Sequence, residues 1–63
     1  MFDPGDNVSI TMDGEPWGYG VVIRDAGSNV WTRVPMRRSD GGRAMKIYPF
    51  SPRQLIRELR DDD

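Results

Sequence analysis

The stretch Val30-Trp31-Thr32-Arg33-Val34-Pro35-Met36, the tetrad Ser39-Asp40-Gly41-Gly42 and the run Ala44-Met45-Lys46-Ile47-Tyr48 decide the fold class. In the first, Val30, Thr32, Val34 and Met36 face one way while Trp31, Arg33 and Pro35 face the other, the period of two of a half-buried strand. Pro35 cannot donate to a ladder, so an edge position or a bulge is expected there. The Gly-rich tetrad is a hairpin signal. In the run after it, Met45 and Ile47 lie on the opposite face from Lys46 and Tyr48.

The same period appears upstream, where Val8, Ile10 and Met12 alternate with Ser9 and Thr11. Residues 1–5 read as an extended leader closed by the Pro4-Gly5-Asp6 turn, and Asp13-Gly14-Glu15-Pro16 as a second turn. The run from Trp17 to Ile23 is a strand in which Gly18 and Gly20 mark a bulge or a bend, as barrel corners require. Ala26-Gly27-Ser28-Asn29 makes the next turn. Ser51-Pro52-Arg53-Gln54 has the form of a capping box with proline at the first helical position. One helical turn and a last strand from Ile56 to Leu59 are expected after it. Five short strands and one helical turn over residues 1–63 predict a single all-β domain, a small SH3-like barrel with an acidic tail at 60–63.

With 63 residues and neither Cys nor His, the chain lacks the disulfides and structural zinc that usually reinforce domains of this size. Oligomerisation is the remaining reinforcement. Two tryptophans, Trp17 and Trp31, are the expected apolar anchors, because a barrel this small cannot fully bury both. The absence of His and Cys also excludes thiol nucleophiles, Ser-His-Asp hydrolysis and almost every zinc constellation. No segment is long and apolar enough for a membrane span, and the start lacks a signal-peptide pattern, so a cytoplasmic protein without membrane partners is expected. Net charge is −1, yet Arg33, Arg37, Arg38, Arg43 and Lys46 cluster mid-chain. Arg33, Arg37, Arg38 and Arg43, with Trp31 as a stacking platform, define one candidate, a small nucleic-acid-binding barrel; a protein-interaction module without catalytic activity is a separate alternative.

The other candidate site is Lys46-Ile47-Tyr48-Pro49, a cation, an aliphatic and a phenol in succession on a strand that Pro49 is expected to end. Ordinary strand packing would instead put Ile47 in the core and leave Tyr48 half exposed. Here the chain resembles the type II, plasmid-borne, trimethoprim-insensitive dihydrofolate reductases, through Gly5-Asp6-x-Val8, Gly14-x-x-Trp17 and Ile47-Tyr48-Pro49 followed by Leu55. The resemblance covers roughly Gly5 to Leu59. It implies a homotetramer around one pore, with Lys46, Ile47 and Tyr48 binding NADPH and Lys46 and Tyr48 serving the reduction of dihydrofolate. Two positions depart from the family pattern: Lys46 stands where the family has Gln, and Thr11 where it has Lys. Four Lys46 ammonium groups ~8 Å apart would repel by roughly 0.5–2 kcal/mol per pair, which anionic ligands would relieve. Arg43 is the nearest further cation in the chain.

Overall fold

The computed structural model describes residues 1–58; Leu59, expected in the last strand, and the acidic tail at 60–63 lie outside the described residues. Five strands, β1 (Asn7–Met12), β2 (Glu15–Asp25), β3 (Val30–Arg37), β4 (Arg43–Phe50) and β5 (Leu55–Arg57), are joined by turns and by a 3-10 turn at Pro52–Gln54. They form one antiparallel sheet in the order β4-β3-β2-β1-β5. This is the expected all-β architecture, a small SH3-like barrel of five strands with one 3-10 turn near the C-terminus. The last strand begins at Leu55, one residue earlier than expected, because the 3-10 turn closes at Gln54.

The period-two readings of β1 and β3 hold: Val8, Ile10, Val30, Thr32 and Val34 are buried with Val22, Phe50 and Leu55. The β1–β2 hairpin turns through Asp13 (φ 51°) and Gly14 (φ 80°), the left-handed pair that a two-residue hairpin needs. Two register shifts then bend β2. Ile10 pairs with Gly18 and Thr11 with Pro16, leaving Trp17 as the extra residue, and Val22 pairs with Thr32 and Arg24 with Trp31, leaving Ile23 as the second. Each shift re-aims the side chains beyond it.

Pro35 corrects the edge reading of β3. The strand is interior, between β2 and β4, but its pairing with β2 stops at Arg33, so Pro35 has only Met45 of β4 across from it. The missing N–H falls where no second neighbour asks for it. Pro49 does not end β4 either; the strand runs to Phe50, as an edge strand allows.

The capping box is present in full. Ser51 N–H donates to Gln54 Oε1 at 3.0 Å and Ser51 Oγ accepts from Arg53 N–H at 3.4 Å. The Gln54 amide also donates to the Thr11 carbonyl at 3.2 Å, so the turn after β4 is fastened to β1.

The leader is pinned to the sheet. Gly5 N–H donates to Val22 O at 2.8 Å and Val22 N–H to Asp6 O at 2.9 Å. Arg57 pairs with Asp6 at 3.0 Å and lies over the Phe2 ring. Asp25 accepts the Phe2 N–H and the Gly27 N–H, each at 2.8 Å. These two bonds, the Phe2 bond foremost, hold the Asp25 carboxyl below its ordinary value of 3.8. A depressed carboxylate contributes stability that is present above its unfolded-state value and is lost as pH falls through the folded one. Thermal melts are therefore expected to drop more steeply below about pH 4 in the wild type than in Asp25→Asn. Parallel acid profiles of the two proteins would remove the leader clamp as a pH-dependent contact.

Candidate functional site

β4 places the predicted site residues. Its even-numbered side chains turn inward: Phe50 is buried opposite Val30, Tyr48 is half-buried opposite Thr32, and Lys46 lies opposite Val34 with its side chain exposed. Its odd-numbered side chains turn outward, and Met45 and Ile47 are each 56% exposed. Ile47 is therefore not core, contrary to the ordinary packing expectation, whereas Tyr48 is half-buried as that expectation had it. Lys46 and Tyr48 share one face and Ile47 the other. Alternation along a strand forbids all three from meeting on one face of a single chain.

What both faces share is the strand's free edge, since β4 ends the sheet. Lys46 and Pro49 on that edge oppose extension of the sheet by strand addition. Another copy can meet β4 through side chains far more readily than through its backbone.

Tyr48 is held from the inside. The Trp17 ring meets it edge-on with centroids 6.1 Å apart, and Phe50 lies 5.8 Å from both Trp17 and Tyr48. The Trp17 bulge sets this contact, because the extra residue in β2 turns the indole toward β4 instead of away from it. Trp17 remains 41% exposed and Trp31 39% exposed, as expected of two anchors in so small a barrel.

The outward face of β3 and β4 is built from the directly opposed pairs Trp31 and Pro49, Arg33 and Ile47, Pro35 and Met45, and Arg37 and Arg43. β2 adds Val21 opposite Arg33 and Arg24 opposite Trp31. None of these residues is acidic. Among the described residues the ion pairs are Arg38 with Asp40 at the hairpin tip and Arg57 with Asp6, so Arg24, Arg33, Arg37 and Arg43 stand without carboxylate partners. The sequence shows the arginine cluster, but only the register shows that Arg38 leaves it and Arg24 joins it.

A second feature was missed from sequence. Tyr19, 68% exposed, and Ile56, 57% exposed, flank Ser9 across β1. Together with Trp17 they line a shallow groove of about 460 Å³. The signal was the aromatic between Gly18 and Gly20. Thr11 lines this groove as well, with its hydroxyl donating to Gln54 O at 3.3 Å and its carbonyl accepting from the Gln54 amide.

No group of three or more metal-ligating side chains occurs among the described residues, and no helix among them is long and apolar enough to cross a membrane. No family model matches the chain, and neither a curated protein nor a solved structure gives a significant match.

Proposed function

We propose that the protein is a type II dihydrofolate reductase-like enzyme, a cytoplasmic homotetramer in whose central pore dihydrofolate is reduced at the expense of NADPH. The observation that carries this reading is the position of Lys46-Ile47-Tyr48 on the free edge strand. On the edge strand these side chains have no neighbouring strand on one flank, which leaves room there for another copy.

Fourfold use of one short strand gives so small a chain the concave, water-poor site that it cannot build alone. The face beside Ile47 suits an anionic, ring-bearing ligand, being cationic, partly aromatic and free of carboxylates. Bound NADPH supplies the hydride, and solvent supplies the proton. The chain's own residues orient and enclose: Ile47 and Met45 offer apolar surface to flat rings, Lys46 offers positive charge, and Tyr48 offers a phenol braced by Trp17 and Phe50. Orientation of two bound reactants is the main catalytic contribution asked of such a wall.

Sedimentation velocity at micromolar concentration tests assembly. A tetramer is the expected species, with Trp31→Ala weakening it more than it changes the circular dichroism of the protomer. A monomer at every concentration would overturn the reading.

A second reading has its own observation, the open face bearing four arginines and Trp31. It makes the protein a single-stranded nucleic-acid-binding barrel. Monomers that bind mixed oligonucleotides with steep salt dependence, and do not bind NADPH, would favour it.

A further inference from the structure

We propose that Arg33 is the principal cation for the phosphates of the dinucleotide, with the Trp31 indole beside it as a platform for a ring; the assignment rests on the reading above. Arg33 lies at the middle of the outward face, directly opposite Ile47 on one side and Val21 on the other. Directly opposed residues bring their Cβ atoms to about 5 Å. Trp31 and Pro35 are its neighbours along β3, each about 7 Å away. Arg33 is thus flanked in register by apolar residues, with no carboxylate on the same face and no ion pair of its own among the described residues. A cation so placed is short of a counter-ion, and a planar fork of donors matches phosphate oxygens.

Thr11, which stands where the resemblance calls for a lysine, is hydrogen-bonded to Gln54. The cations on β4 itself fit less well. Arg43, nearest to Ile47 along the chain among the arginines, pairs with Arg37 at the hairpin end. It is four residues from Ile47, about 13 Å along the strand. Lys46 points to the opposite face, with Tyr48. Arg33 therefore reaches the Ile47 side of the edge and Lys46 the Tyr48 side, so a dinucleotide lying along β4 would meet a cation on each flank.

The test uses the full chain and Arg33→Gln, Arg33→Lys and Arg43→Gln. NADPH binding is titrated at low and high salt, with inorganic pyrophosphate as competitor, and sedimentation and thermal melts are run on each protein. Arg33→Gln is expected to keep the fold and the tetramer while weakening NADPH binding roughly 10- to 100-fold, as loss of a charge-assisted contact does. Arg33→Lys should fall between it and the wild type, because it keeps the charge and loses the fork. Arg43→Gln should change affinity by less than about 3-fold, and pyrophosphate should compete with NADPH in the wild type far better than in Arg33→Gln.

Equal NADPH affinity in the wild type and Arg33→Gln would overturn the Arg33 assignment and leave the enzyme reading standing. A wild-type monomer that binds no NADPH would overturn both. An oligonucleotide retained by the wild type and lost in Arg33→Gln, with no NADPH bound by either, would reassign the face to nucleic acid and so also overturn the proposal.

Discussion

Gly20→Ala is expected to lower the melting temperature by more than about 10 °C, or to leave the protein largely unfolded at 37 °C. A Cβ at this position would sit 2.6 Å from Thr32 Cγ2 and 2.8 Å from the Arg33 carbonyl oxygen. Neither neighbour can yield cheaply. Thr32 is fully buried, with its hydroxyl donating to Val30 O at 3.1 Å, and the Arg33 carbonyl belongs to the β2–β3 ladder. Forcing a methyl into so close an approach costs about 2–4 kcal/mol. A domain of this size holds only about 3–9 kcal/mol in total. Gly18→Ala is the control, because its Cβ would meet nothing within 4 Å and should leave stability within about 1 kcal/mol of the wild type. Equal melts for the two variants would mean that β2 and β3 do not approach as described.

Ile47→Glu is expected to abolish both assembly and NADPH-dependent reduction of dihydrofolate while the protomer keeps its fold. In a single chain Ile47 is 56% exposed and outside the core. Its replacement should then move protomer stability by no more than about 0.5 kcal/mol. Around a shared pore the same change sets four carboxylates beside one another and opposite anionic ligands. At ~8 Å and an effective dielectric near 20, each pair repels by about 2 kcal/mol, and the loss of activity should exceed about 100-fold. A variant that assembles and turns over like the wild type would remove Ile47 from the site.

Much of the fold was legible because alternation is a local property. Val8 and Ile10, and Val30, Thr32 and Val34, each lie in a run whose other face is polar, and the turns between runs carry residues that only a few backbone conformations suit. The capping box at Ser51 was legible for the same reason. What sequence could not supply was the phase of a run with large apolar side chains on both faces. In β4, Ile47 and Met45 are as apolar as Tyr48 and Phe50. The choice between them is made by pairing with β3, where Thr32 and Val34 are already inward. Trp17 was illegible in a different way, since its inward turn comes from an extra residue in β2 that alternation cannot anticipate. The candidate site divides along the same line. Lys46, Ile47 and Tyr48 were identifiable by type and order, but Arg33 became a partner of Ile47 only through cross-strand register. The edge position of β4 is likewise a property of the whole sheet.

A site that exists only where copies meet ties activity to assembly. Both are followed at once by NADPH oxidation with dihydrofolate as substrate across a dilution series of the wild-type protein, alongside sedimentation of the same samples. The expected result is NADPH oxidation whose specific activity falls steeply as the tetramer dissociates on dilution. Contradiction would come from a protein that stays monomeric at every concentration, from one that oxidises no NADPH, or from a specific activity that stays constant as the tetramer falls apart into monomers.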